Sequence, residues 1–121
     1  MKYMLLNYAN PSQAPNYTPE EAQAAWQGWT DVVAEMKAAG VYVTNDGLSA
    51  AAEARTVRVR DNKTLTAEGP FAKTEEQLTG YFMIDCKMID CKDLDEAIRW
   101  AAKTPGAQYG SVEVHPVVSY S

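Results

Sequence analysis

Two capping boxes constrain this chain more than anything else in it. Thr18-Pro19-Glu20-Glu21 and Asp93-Leu94-Asp95-Glu96 each set a short side-chain acceptor three residues ahead of a glutamate. In that arrangement a side chain and the backbone exchange two hydrogen bonds at a helix start. Pro19 strengthens the first box, because its fixed φ and missing N–H suit the first helical position. Behind Thr18, Ala22, Trp26, Trp29, Val33 and Met36 recur at spacings of four and three. They form one apolar stripe of a helix, which predicts that Trp26, Trp29 and Met36 belong to the core. Gly40 supplies the left-handed stop. Gly28 costs this helix about 1 kcal/mol against Ala and suits close packing beside the tryptophans. Behind Asp93, the residues Leu94, Ala97, Ile98 and Ala101 make a second helical face, which Thr104-Pro105-Gly106 ends.

Strands fill the intervals. Residues 3–8, Val41-Tyr42-Val43, residues 80–86 and residues 111–117 read as the main ones. Asn45-Asp46-Gly47-Leu48 reads as a turn, and Ala50 to Ala54 as a loop or short helical turn. Between them Thr56 to Arg60 alternates, with Val57 and Val59 on one face and Thr56, Arg58 and Arg60 on the other. Asp61-Asn62-Lys63 turns the chain and Thr64 to Ala67 returns it as a hairpin. Without the hairpin the order is β-α-β-β-α-β, the α+β pattern of the ferredoxin-like fold, with both helices on one face of an antiparallel sheet. Met4, Leu6 and Tyr8 alternate with Tyr3 and Leu5, so neither side of the first strand is plainly polar. A homodimer that covers the second face is therefore expected.

The 121 residues make a single domain, 1–121, long enough to bury a core without staples. Hydrophobic residues at 46% and charged residues at 22% describe a globular protein. A net charge of −5 argues against nucleic acid, which requires a surplus of Lys and Arg. Arg55, Arg58 and Arg60, the one basic cluster, read as a strand face. No apolar run reaches the length of a membrane span, and the opening segment is too short and polar for a signal peptide. The expected compartment is cytoplasmic. Cys86 and Cys91 lie five apart, on opposite faces of a strand and beyond disulfide reach, and read as free thiols. Two Cys and one His are too few for a metal site, and no cofactor fingerprint is present. Met83-Ile84-Asp85-Cys86-Lys87 is repeated at once as residues 88–92. Five residues is too short a period for a solenoid. The first copy is expected to pair as strand up to about Cys86, with the second extending or bulging beyond it. The second helix is expected to start at Asp93, where its own box fixes it.

Glu68-Gly69-Pro70-Phe71-Ala72-Lys73-Thr74-Glu75-Glu76-Gln77-Leu78-Thr79-Gly80-Tyr81 resembles the signature of the bacterial YCII-related proteins of the DGPF type. Met1-Lys2-Tyr3-Met4-Leu5-Leu6, Thr56 to Arg60 and Val112-Glu113-Val114-His115-Pro116 match as well, so the resemblance covers the whole chain. It implies a ferredoxin-like subunit that dimerises sheet to sheet, a dimeric α+β barrel. This chain departs from the pattern at Glu68, where Asp is usual, and at Lys73, where Glu is usual. Relatives of this kind include proteins similar to small lyases, isomerases and dehalogenases, and some encoded beside alternative sigma factors.

The residues that carry chemistry are few. His115 is the single histidine and the one side chain whose ordinary pKa lies near neutrality. It shares a strand face with Glu113, a spacing that suits a proton-transfer pair, or it is a strand-end histidine satisfied by a carbonyl or water. Glu68 is the second candidate carboxylate. Gly69 allows a close backbone approach, while Tyr8, Phe71 and Tyr81 offer an apolar lining. The Gly-Pro pair is equally explained as a turn. The expected site is a cleft where Glu68 to Phe71 meets His115. Two functions fit: a dimeric small-molecule binding or regulatory module, or a cofactor-independent lyase, isomerase or hydrolase using His115 with Glu113 or Glu68. An accessory partner of an alternative sigma factor is a third.

Overall fold

The computed structural model describes residues 1–13, 16–87 and 93–118. The elements run β1 (Lys2–Ala9), α1 (Pro19–Ala38), β2 (Tyr42–Gly47), β3 (Arg55–Arg60), β4 (Lys63–Glu68), β5 (Gln77–Asp85), α2 (Asp93–Lys103), α3 (Gly106–Tyr109) and β6 (Ser111–Pro116). Short 3-10 turns sit at Pro11–Gln13 and Ala51–Glu53. Four strands form one antiparallel sheet in the order β2-β5-β1-β6, an α+β arrangement compatible with the ferredoxin-like pattern. β3 and β4 form a separate two-stranded sheet. Asp61 and Asn62 turn this hairpin at φ of 50° and 61°, in the left-handed region that Asn and Asp tolerate best.

Alternation along β1 sorts the two sheet faces. Tyr3, Leu5 and Asn7 are buried on the helix side, while Met4, Leu6 and Tyr8 are half-buried on the other. The core forms where Tyr3, Leu5, Phe82 and Ile84 meet Val32 and Met36 of α1 and Ala97 and Trp100 of α2. α1 starts as expected. Thr18 Oγ1 accepts from Glu21 N–H, Glu21 returns a bond to the Thr18 N–H, and Pro19 holds the first position.

The stripe on α1 does not all reach the core. Val32 and Met36 are buried and Trp29 and Val33 pack against them, but Ala22 and Trp26 are exposed, Trp26 by 68%. The N-terminal half of α1 faces open space above the sheet where the C-terminal half faces core, so the same periodicity serves two different surroundings. α2 is also turned from expectation. Leu94 and Ile98 face outward, and Glu96, Ala97, Trp100 and Ala101 face in. The cause is Glu96, whose buried carboxylate accepts from Lys87 N–H at 3.0 Å and from the Trp100 indole at 3.1 Å. A buried charge is tolerable only with such donors, and they fix the helix's rotation.

β2 runs on through Asn45-Asp46-Gly47, where a turn was expected, because these residues pair with Phe82, Tyr81 and Gly80. Gly80 permits the pairing: a Cβ there would stand 2.8 Å from the Asp46 carbonyl oxygen. Gly110 does the same for β6, where a Cβ would sit 2.1 Å from the Tyr8 carbonyl oxygen. The first copy of the repeat occupies the ladder through Asp85, Cys86 N–H donates to the Met1 carbonyl, and α2 starts at Asp93. The second copy, with Cys91, lies outside the described residues.

Cys86 is a buried free thiol. Burial first, and then the nearby Glu96 charge, push it from an ordinary 9.0 up to about 12. The folded chain therefore holds this proton more tightly than the unfolded chain does. Its contribution to stability is complete below pH 9 and is lost as pH rises through about 12. Urea unfolding should show stability falling across that window with a slope that Cys86→Ala reduces. Equal slopes in the two proteins would remove this linkage.

Candidate functional site

Because the N-terminal half of α1 outruns the core, it stands over the sheet as a wall. Two adjoining cavities, of about 940 and 630 Å³, lie beneath it. Trp26, Trp29, Thr79 and Tyr109 line both. These volumes fall in the range of roughly 300–1,000 Å³ typical of small-molecule sites. Trp29 is held in place by stacking on Phe82, with centroids 5.9 Å apart and planes 14° off parallel. Its far edge meets Gly106, where a Cβ would come within 3.1 Å of the ring. Tyr109 of α3 joins Trp29 in the lining of both cavities. Burial, then the neighbouring Tyr17, push its phenol above the usual 10.0.

Asn7 lies in the smaller cavity, 5% exposed. Its backbone carbonyl accepts from Thr79 Oγ1 at 3.1 Å, but its side-chain Oδ1 has no hydrogen-bond partner among the described residues. The charged residues among the described lining are one per cavity. Lys103, in the larger, pairs with Glu35 at 3.6 Å and lies over the Trp100 ring. Asp46 borders the smaller, but its carboxylate accepts from the hydroxyl of its strand partner Tyr81 at 3.2 Å, on the face turned away from the helices.

A second cluster occupies the face of the sheet away from the helices. Strand register sets Met4 opposite His115 and Leu6 opposite Glu113 and Tyr81. His115 Nε2 lies 3.2 Å from Glu113 Oε1, with both side chains 55% exposed. Tyr8 stands beside this pair: burial, then the Glu113 charge, raise its phenol above 10.0. A single chain thus gathers Tyr8, Tyr81, Glu113 and His115 on one face.

Glu68, Gly69 and Phe71 are placed elsewhere, at the base of the hairpin. Gly69, at φ +80°, donates to the Ala54 carbonyl and accepts from Thr56 Oγ1, both at 2.8 Å. Phe71 is 78% exposed. The hairpin connects β2 to β5, whereas β6 is the opposite edge strand. No hydrogen bond or ion pair among the described residues joins Glu68 or Gly69 to His115. The described residues also hold no group of three His, Cys, Asp or Glu arranged for a metal ion.

Sequence reasoning missed Asn7 and Tyr109, and it assigned Trp26 to the core. Two signals for the cleft were nevertheless present. Asn7 is a polar residue at a core-facing position after Tyr3 and Leu5, and the α1 stripe is longer than one sheet can cover.

One antiparallel sheet, two helices against one face and an extra hairpin define a small α+β class of chain. No helix among the described residues is long and apolar enough to cross a membrane. The sequence profile of the YCII-related domain matches residues 1–121, and the chain belongs to that family. It is 32% identical to "Uncharacterized protein R00369" of Rhizobium meliloti (strain 1021) over 122 residues, covering 99% of this chain and 94% of that protein.

The Asp46–Tyr81 bond gives this face a titration marker. The carboxylate accepts the phenol's proton and, with burial second, raises Tyr81 above 10.0. Asp46→Asn should bring the Tyr81 ring titration back toward that value by NMR. An unchanged midpoint would show that the bond is not formed in solution.

Proposed function

We propose that the chain is a homodimeric small-molecule-binding protein that seats its ligand between α1 and the sheet. The observation that carries this reading is the apolar stripe of α1. It continues from Met36 to Ala22 after the core has ended, and there it faces a cavity instead of protein. A helix face with no packing partner gains burial when a ligand of matching size fills the space. Ala25→Arg would place a long side chain in the larger cavity. Saturation-transfer NMR with a library of small apolar ring compounds should give signals for the parent chain. Those signals should vanish in the variant while its circular dichroism is unchanged. Equal signals in both proteins would move the site elsewhere.

The dimer follows from the open face. Met4, Leu6, Tyr8, Tyr81 and Met83 are only half-buried there, and an apolar sheet face calls for a cover. A second copy laid sheet to sheet is the cover that the family pattern implies, and it would need more than about 1,000 Å² of buried surface to be stable. Light scattering should report a dimer for the parent chain and a monomer for Met4→Glu. A parent chain that is monomeric at micromolar concentration overturns this part.

A second reading, a cofactor-independent lyase, isomerase or hydrolase, is favoured by the 3.2 Å approach of His115 and Glu113. Proton transfer requires that reach, and a covered face would exclude water from the pair. Glu68, Gly69 and Phe71 enter this reading through the hairpin of a second copy. Val57, Val59, Leu65 and Phe71 are all more than half exposed and give that hairpin an apolar surface to lay against a neighbour.

A further inference from the structure

We propose that the β3–β4 hairpin is an exchanged arm: in the dimer, its face bearing Val57, Val59, Thr64 and Thr66 lies on the open sheet face of the second copy, over the partner's Met4 and the partner's Met83. This rests on the dimer reading above and assigns the surfaces that meet in it.

In a single chain the hairpin stands without cover. Eleven of its twelve strand residues are exposed, and Thr56 alone is half-buried. A two-stranded hairpin is marginal in water until a face packs on another layer. The register sets Val57 opposite Thr66 and Val59 opposite Thr64, so these four uncharged β-branched residues share one face. Arg58, Arg60 and Lys63 share the other with Leu65. The cations mark the side that faces water, and the β-branched face is the one left to pack.

Sheet topology and charge say where it packs. The hairpin leaves the sheet between Gly47 of β2 and Gln77 of β5, at the end where Tyr8 meets Leu78 and Ser111. Met4, Met83 and His115 form a row nearer the opposite end. Two copies stacked sheet to sheet about a two-fold have two arrangements. An axis along the strands sets like ends together, hairpin beside hairpin. An axis across the strands sets opposite ends together, each hairpin over the other copy's Met4 row. Residues 55–68 hold four cations, Arg55, Arg58, Arg60 and Lys63, against two acids, Asp61 and Glu68, a net +2. The whole chain carries −5, so the remainder carries −7. Two arms side by side repel, whereas an arm over the acidic body of the second copy is attracted, which selects the second arrangement.

The area suffices. A six-residue strand spans about 20 Å and a two-stranded face is about 10 Å across. Two arms, each buried against a matching surface, hide about 800 Å², most of the roughly 1,000 Å² that a stable interface requires before the sheets themselves are counted. The arm of one copy then walls the His115–Glu113 pair of the other, so that pair is enclosed only in the dimer.

The test mixes two preparations of the full chain at neutral pH, one labelled only in its valine methyls and the other only in its methionine methyls. Any nuclear Overhauser cross-peak between the two sets then arises between subunits. The expected result is contact from the Val57 and Val59 methyls of one copy to the partner's Met4 and the partner's Met83. By sedimentation, Val57→Lys combined with Val59→Lys should raise the dimer Kd at least about tenfold, the loss that withdrawing one buried valine side chain brings. Arg58→Gln, on the solvated face, should change it less than about threefold. The methyl contacts are read in the parent chain and need no variant to fold. A dimer without those contacts overturns the placement of the arm and leaves the dimer standing. An unchanged Kd in the double lysine variant overturns it as well. A parent chain that stays monomeric overturns the dimer reading and this inference with it.

Discussion

Everything in this chain hangs on the two-residue alternation of β1. The strand is hydrogen-bonded on both sides, to β5 and to β6, so its register fixes theirs. Side chains on a strand point alternately to opposite faces, and a slip of one residue would exchange the two sets. As built, Tyr3 and Leu5 anchor the core and Asn7 becomes the floor of the cleft. Met4, Leu6 and Tyr8 become the opposite face, beside Glu113 and His115. The cleft and the His115–Glu113 pair are thus two sides of one strand. The irregularity between Asn7 and Tyr8 in the ladder with β5 lies where the two meet. There Thr79 donates to the Asn7 carbonyl.

Several local signals in the sequence hold in the structure, while the Asn45-Asp46-Gly47 turn gives way to long-range pairing with β5. The Thr18–Glu21 box, the stop at Gly40, the Asp61-Asn62 turn and the start of α2 each depend on a few neighbouring residues. The order of elements along the chain followed from their alternation. What the sequence did not reveal was how far each apolar stripe is used. Ala22 and Trp26 have the same spacing as Val33 and Met36. Only what packs beneath α1 decides which pair is core and which is cavity wall. In α2, periodicity favoured Leu94 and Ile98, but the buried carboxylate of Glu96 needed the donors on Lys87 and Trp100 and turned the helix toward them. Long-range hydrogen bonding overrode amphipathic pattern there. The convergence of Glu68 with His115 was the least local expectation, and within one chain the hairpin and β6 stand at opposite edges of the sheet.

The elements on either side of the direct repeat are each held by bonds of their own. β5 is held to its length by pairing with β1 and β2 through Asp85, and α2 is held by Glu96 to the backbone at Lys87. That Glu96 bond spans the joint from one side to the other, so the two elements keep their relative placement whatever the intervening segment contributes.

The capping box at Thr18 also acquires a meaning beyond starting a helix. The first half of α1 has little core behind it, so its helicity depends on the bonds of its own first turn and on what lies in the space below. Isolated helical turns are marginal in water, and a missing N-cap typically costs about 1 kcal/mol. Whatever free energy is required to order this half of the helix is subtracted from any occupant's affinity. On the ligand-binding reading proposed above, residues that never touch the occupant, Thr18, Pro19 and Glu21, would act as a gain control on the cleft. They set how much of the wall is already standing when a ligand arrives.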